Sequence, residues 1–363
     1  MKYRLEELFD LQMGKTPSRN NVDYWATTDN KWISISDLSQ CDKYILTTKE
    51  YISNRAVDET GIHEIPANTV IMSFKLSIGK TAITKEPMYS NEAIMAFLDK
   101  HIVELIPDYI YYMFLGKDWN DGTNKAVLGK TLNKATLSKI VINVCDIDKQ
   151  RKIVDILDKI SAVIEKKKTE LQFLDSLVQS RFVEVFGDPE FNTMQWQTKK
   201  LSELCNVGSS KRIYQNEQSA DGIPFLRISD LNARIDNIEN VPELFISINK
   251  YHELKENGLV PAAGDMLVTS RGTLGRCYIV RPEDEFYFQD GMISWLSNLS
   301  NQVTGLYISQ LFAMTGIQKQ IASLQAGSTV AYLSISMLKK LDIILPPLEL
   351  QNQFAAFVAK TDK

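Results

Sequence analysis

Apolar and polar positions keep two rhythms along the chain. Short apolar or alternating runs such as WISISDL, TVIMSF, IPFLRISDL, DMLVTSRG and RCYIV are bounded by turn residues and predict strands. Helical spacing is rarer, with Pro107 to Lys117 and Gly305 to Leu324 as the better candidates. Between Lys149 and Gly187 there is no proline and no internal glycine, and apolar residues fall at Ile153, Leu157, Ile160, Ile164, Leu171, Leu174, Val178 and Val185. Steps of four and three alternate, broken only at Lys167 and Arg181, which predicts a coiled-coil helix of roughly 58 Å closed by Gly187, Asp188 and Pro189. A seam of that kind is unstable in water alone, so Ile153, Leu157, Ile160, Ile164, Leu171, Leu174 and Val178 are expected to bind a partner. Past Leu345, Pro346 and Pro347 the chain repeats the start of this helix, with Gln351 matching Gln150, Phe354 matching Ile153 and Val358 matching Leu157.

The strand-rich segments also repeat. Leu5-Glu6-Glu7-Leu8 followed by Lys15 matches Leu201-Ser202-Glu203-Leu204 followed by Lys211, and WISISDL from Trp32 matches FLRISDL from Phe225 with four identities in register. Pro66-Ala67 matches Pro261-Ala262; Lys75, Ser77, Gly79 and Lys80 match Arg271, Thr273, Gly275 and Arg276. Gly129-Lys130-Thr131 then aligns with Gly327-Ser328-Thr329, and Leu137 with Leu338. Common order with an offset drifting from about 193 to about 201 is what duplication followed by small loop insertions produces. The expected fold is α+β: two similar mixed α/β domains, 1–147 and 189–346, related as a pseudo-two-fold repeat and separated by the helix at 148–188. A second helix of the same type begins at 347–363.

Composition removes several classes. With 44% hydrophobic and 24% charged residues the chain has the make-up of a folded protein, and no apolar run is long enough to span a bilayer. The first residues, MKYRLEELFDLQMGKTP, carry acids where a secretory signal needs an apolar stretch, so the expected location is cytoplasmic and no membrane partner is expected. Cys41, Cys145, Cys205 and Cys277 form no C-x-x-C pair and are read as buried thiols; His63, His101 and His252 form no ligand pair. The Gly-Lys-Thr triplets at Gly14, Gly79 and Gly129 lack the earlier glycine of a phosphate loop, since Phe9, Phe74 and Asn124 stand there. Neither a nucleophile elbow nor an Asn/Asp-Pro-Pro-aromatic motif occurs, and Pro107-Asp108 is not followed by a nuclease-type acidic-x-Lys triplet. No catalytic residue, metal site or cofactor is therefore assigned.

A formal net charge of −4 conceals uneven distribution. No acid occurs from Gly122 to Cys145, where Lys125, Lys130, Lys134 and Lys139 recur, nor from Gly291 to Leu341, which holds Lys319, Lys339 and Lys340. Cationic, glycine-bearing turns that recur in both copies suit DNA phosphates, and arginine can also bond guanine bidentately. The DNA-contact candidates in the first copy are Lys15, Arg19, Ser34, Ser36, Lys75, Ser77, Lys80, Lys130, Asn133 and Lys134. Those in the second are Lys211, Arg212, Arg227, Ser229, Arg271, Thr273, Arg276, Ser328 and Tyr332. Asp37 and Asp230, in the same shared frame, are equally well explained as turn caps.

Several of these residues together resemble the specificity subunit of type I restriction–modification systems: Gly14-Lys15-Thr16-Pro17 before Tyr24-Trp25, the W-I/F-L-x-I-S-D-L frame, the Gly-Lys/Gly-Arg turn, PPLE-x-Q opening a helix, and Leu174 to Pro189. The resemblance covers almost the whole chain, although the second conserved region stops at Lys363. It implies target-recognition domains that each read half of a bipartite double-stranded DNA site, and helices that dock methyltransferase subunits, joined by endonuclease/translocase subunits. S-adenosylmethionine, ATP and Mg then belong to those partners. Two other readings are a single-chain restriction enzyme and a coiled-coil scaffold without DNA.

Overall fold

Leu5 and Leu8 are fully buried although they fall within the first eight residues, because the strand before them pairs with one that lies about 140 residues later. This computed structural model describes residues 1–75, 77–119, 132–325 and 331–361. It divides into two units, Met1–Lys167 and Lys168–Lys363.

The first unit opens with β1 (Lys2–Arg4), α1 (Leu5–Leu8), β2 (Phe9–Met13), β3 (Asn30–Ile33), α2 (Ile35–Gln40), β4 (Tyr44–Ile45), β5 (Glu50–Ile52) and α3 (Asn54–Thr60). There follow β6 (Val70–Ser73), β7 (Thr81–Thr84), β8 (Tyr89–Ser90), β9 (Ile94–Asp99), α4 (Pro107–Leu115), α5 (Lys134–Ser138) and β10 (Val141–Asn143). A five-stranded sheet runs β2-β9-β6-β7-β4, a smaller one β5-β3-β8, and β1 pairs antiparallel with β10. The large sheet is covered on both faces, so β6 is buried at all four positions and reads as continuous VIMS instead of alternating. On one face Phe97 of β9 meets Phe9 and Phe114 edge-on at 5.8 and 4.8 Å; on the other Ile71, Ala82 and Ala96 pack with Leu38 and Ile45.

α6 (Ile147–Phe186) is one unbroken helix of 40 residues, and Gly187 ends it at φ 77° with its N–H donating to the Val183 carbonyl at 2.8 Å. The second unit then repeats the plan of the first: β11 (Gln197–Lys200), α7 (Leu201–Leu204), β12 (Asn206–Gly208), β13 (Gln218–Ser219), β14 (Ile223–Leu226), α8 (Ile228–Ile235), β15 (Phe245–Ile246) and α9 (Ile248–Glu256). Next come β16 (Met266–Thr269), β17 (Cys277–Ile279), β18 (Tyr287–Phe288), β19 (Ile293–Ser297), α10 (Gly305–Ala313), α11 (Thr315–Leu324), α12 (Ile335–Lys339), β20 (Asp342–Leu345) and α13 (Leu348–Thr361). Its sheets run β12-β19-β16-β17 and β13-β15-β14-β18, and β11 pairs with β20. β12, β16, β17 and β19 thus take the parts of β2, β6, β7 and β9, and β14 pairs parallel with β18 as β3 does with β8.

Three sequence expectations change. The strands expected through WISISDL and FLRISDL end at Ile33 and Leu226, and ISDL starts a helix in both copies. The reason is a carboxylate cap at the third helical position: Asp37 accepts from the Ser34 N–H at 2.9 Å and Asp230 from the Arg227 N–H at 2.8 Å, a bond that the Ser34 hydroxyl makes reciprocal in the first copy by accepting from the Asp37 N–H. The helix expected from Gly305 to Leu324 breaks at Met314, whose ψ of 147° is extended. Of the cysteines, Cys205 is buried while Cys41, Cys145 and Cys277 are half-buried, all as free thiols.

Candidate nucleic-acid interface

Two equivalent turns carry the repeated cations. In the first unit, between β6 and β7, the Ser73 hydroxyl lies against the Ser77 carbonyl and accepts from the Lys80 N–H at 3.2 Å, while the Gly79 N–H donates to the Ser73 carbonyl at 3.0 Å. In the second, between β16 and β17, the Thr269 hydroxyl donates to the Thr273 carbonyl at 2.5 Å and accepts from the Arg276 N–H at 3.0 Å, and the Gly275 N–H donates to the Thr269 carbonyl at 2.9 Å. One hydroxyl therefore cross-braces each turn. Gly79 has φ 89° and a Cβ there would sit 2.9 Å from the Trp119 ring, so both its conformation and the floor of the turn exclude a side chain. Ser73 and Thr269 were missed as site residues in the sequence, although they hold the same register in both copies.

The cations at these turns are not equivalent. Lys75 is half-buried with Nζ 5.3 Å from the Phe74 ring, and Ser77 and Lys80 are exposed. Arg271 and Thr273 are exposed, and the Arg271 guanidinium lies over the half-buried Tyr332 ring at 5.1 Å, where the two backbones also form a bridge. Arg276 corrects the expectation that it is open to DNA: it forms a two-pronged ion pair with Asp236 and donates to Asn232 at 2.9 Å.

Several other candidates are committed within the protein. Arg19 lies over the Trp25 ring at 3.7 Å and pairs with Glu50, whose hydrogen bond raises the arginine's already high pKa. Arg212 pairs with Asp290 at 2.9 Å, and Arg227 with Glu243 at 3.0 Å. Lys15 donates to the Thr60 carbonyl, and Ser34 is the N-cap of α2 with its hydroxyl on Asp37 at 2.7 Å. For Arg19, Arg212, Arg227, Lys15 and Ser34 a partner close in the fold already engages part of the donor set, so contact with DNA would share or exchange these bonds. Gly14 beside Lys15 is required for backbone approach, since a Cβ would meet the Ser90 and Asn91 carbonyls at 2.3 Å.

The remaining candidates face solvent. Lys134, Ser229 and Lys211 are exposed, as are Ser36, which accepts from Lys49 at 3.2 Å, and Asn133, which caps α5 by accepting from the Thr136 N–H. Lys130 and Ser328 lie outside the described residues. Beside the first turn, Glu92 accepts from the Thr16 hydroxyl, and this bond, with the charges of Lys75 and Arg19 further out, holds its carboxyl below the ordinary value. Asp290 holds the corresponding place in the second unit, opposite Arg212.

Along α6 the exposed stripe and the packed stripe separate. Ile153, Ile160, Ile164, Leu171 and Leu174 are 36, 49, 49, 62 and 37% exposed, and Leu157 is half-buried. Val178 is corrected: it belongs to the core of the second unit with Phe182 and Phe186, where Phe354 of α13 packs edge-on at 5.5 and 5.3 Å. Within each unit one buried glutamine fixes the helix start. Gln150 accepts from the Ile106 N–H and donates to the Glu104 and Cys145 carbonyls; Gln351 accepts from the Thr304 N–H and donates to the Gln302 and Pro346 carbonyls, all at 2.9–3.0 Å.

Among the described residues no group of three His, Cys, Asp or Glu could hold a metal ion, and no helix is long and apolar enough to cross a membrane. The family described as "Type I restriction modification DNA specificity domain" matches residues 1–173 and 194–363. The type I restriction enzyme MjaIX specificity subunit of Methanocaldococcus jannaschii is 24% identical over 379 residues, spanning 98% of this chain and 85% of that protein. A putative type I restriction enzyme specificity subunit of Haemophilus influenzae, S.HindORF215P, is 29% identical over 63% of this chain and 57% of its own length. The crystal structure of the type I restriction–modification S subunit from M. genitalium superposes with TM-score 0.54 at 13% identity, covering all of this chain and 89% of that one. A chain from a structure of complex assembly and conformational transition in the type I R-M system gives 0.50 at 14%, again over all of this chain and 90% of the other.

Proposed function

Because the chain belongs to the type I restriction–modification DNA specificity family in both of its halves, we propose that each unit reads one part of a bipartite double-stranded DNA target through its cross-braced turn. The chain is a non-catalytic specificity subunit; methyl transfer and cleavage belong to other subunits. The observation that carries the reading is the duplicated turn itself, in which the same hydroxyl brace and left-handed glycine present Lys75 and Lys80 in one unit and Arg271 in the other. Positive charge on a braced turn positions a protein on phosphate and reaches base edges at little entropic cost. The exposed stripe of α6 is the docking surface for methyltransferase subunits, with endonuclease subunits joining the assembly in the cytoplasm. S-adenosylmethionine, ATP and Mg act on those partners.

Mapping methylated bases in DNA from cells that co-express this chain with its methyltransferase subunit tests the reading. The expected result is one bipartite motif, with methylation absent when either chain is omitted. Methyl transfer by this chain alone, or duplex binding that does not weaken as salt rises, would contradict it.

A further inference from the structure

The two turns differ in chemistry where they agree in architecture. Lysine 75 is a point charge on a flexible stem, whereas its counterpart Arg271 carries a planar fork able to meet two acceptors at once. Building on the DNA-specificity reading, we propose that Arg271, stacked on Tyr332, is the residue that reads a guanine in the half-site of the second unit.

The arginines of the second unit sort cleanly. Arg181, Arg212, Arg227, Arg234 and Arg276 each face a carboxylate, and Arg281 donates to Asn237 at 3.3 Å. Arg271 alone makes no ion pair or side-chain hydrogen bond among the described residues. Its surroundings hold it ready without occupying its donors. Tyr332 supplies a stacking face 5.1 Å away, and the Leu333 N–H donates to the Ser270 carbonyl at 2.9 Å, tying the tyrosine segment to the base of the turn. The same base is anchored to β19 by a hydrogen bond between the Ser270 and Ser294 hydroxyls at 2.7 Å. Gly272, next to Arg271, takes φ 66° in open space, which leaves the approach to the guanidinium clear of a side chain.

The planar fork of a guanidinium matches the O6 and N7 acceptors of guanine, and the major groove is wide enough to admit a two-stranded ribbon and its turn. No acid lies between Gly291 and Leu341, the stretch that carries Tyr332, so the approach of a duplex is not opposed there. Lys75, a compact ammonium on a flexible stem, lacks the planar fork, so the turn of the first unit carries no counterpart of the preorganised Arg271 contact.

The test uses the full chain with its methyltransferase subunit and the motif that methylation mapping defines, comparing wild type with Arg271→Lys, Arg271→Ala and Tyr332→Leu. The substrates are duplexes changed at one base pair each, at fixed salt. Arg271→Lys keeps the charge, and it should lose about tenfold of the preference at one G·C pair in the second half-site while discrimination in the first half-site stays as in wild type. Tyr332→Leu should weaken preference at the same base pair, and equal melting temperatures confirm intact folding. A second half-site without a G·C pair, unchanged discrimination in Arg271→Lys, or a loss spread evenly over all sequences would overturn the assignment. If wild type yields no bipartite motif, the DNA-specificity reading fails as well; a motif that survives Arg271→Lys removes only the role of Arg271.

Discussion

The side chain of Gln351 shows how much one buried polar group can organise. It is fully buried and satisfies one N–H and two carbonyls from two separate segments, as Gln150 does in the first unit. Replacing Gln351 with alanine strands those groups, and we expect a loss of about 2–4 kcal/mol of stability in denaturant titration. Leucine, although closer in size, should not rescue it. Arg276 makes the opposite case. Its pair with Asp236 is partly exposed, so Arg276→Ala should cost less than about 1 kcal/mol and leave the recognised motif unchanged. A motif that relaxed in this variant would show that Asp236 yields the arginine to DNA.

At the scale of elements, α6 has two apolar stripes with different duties. Phe182 is fully buried among Phe186, Tyr307 and Phe354, and Phe182→Ala should cost about 3–5 kcal/mol. Leu171 and Leu174 are exposed, so the double variant Leu171→Asp, Leu174→Asp should melt nearly as wild type yet fail to co-purify with the methyltransferase subunit. Co-purification of that variant would show that the stripe is not the docking surface. The first unit also grips the helix through charge. Lys43 reaches Asp108 and Asp158, both at 2.6 Å, and Tyr112 donates to Asp158 at 2.6 Å. Burial works against ionisation of Asp108, but hydrogen bonds from Lys43 and Tyr44 outweigh it and hold the carboxyl below its ordinary value. Burial likewise disfavours the charge on Lys43, yet its bonds to the two aspartates raise its pKa. The Asp108 contribution is therefore complete above about pH 4 and disappears as pH falls through the lowered value, while that of Lys43 is complete below about pH 10 and disappears as pH rises through the raised one. Lys43→Met should cost about 2 kcal/mol at neutral pH, with the difference from wild type shrinking in acid; a gap that stayed constant down to pH 2 would argue that the node contributes packing alone.

For the molecule as a whole, duplication predicts modular reading. Exchanging residues 189–346 for the corresponding segment of another family member should replace one half of the methylated motif and keep the other. Changes in both halves would show that the units do not read independently. The partial identity of the two units fits this modularity, because the braces and caps recur while the exposed side chains at matching positions differ.

Sequence alone determined the duplication, the long helix and the family, because each is written in local order or spacing: heptad steps between Ile153 and Val178, paired motifs about 196 residues apart, and an ISDL frame kept in both copies. It also marked Gln150 and Gln351 as equivalent, though not as the joints that secure each helix start. Tertiary structure decided which cations are available. Arg276, Arg212 and Arg227 look as exposed in sequence as Arg271, and only the fold brings Asp236, Asp290 and Glu243 to them from 16 to 78 residues away. It likewise separated Val178 from Leu171 and Leu174 on one heptad seam, since burial depends on where α13 and Tyr307 pack and not on spacing along the helix. Local periodicity specifies which face of a helix is apolar; the partner that covers that face is set by contacts distant in sequence.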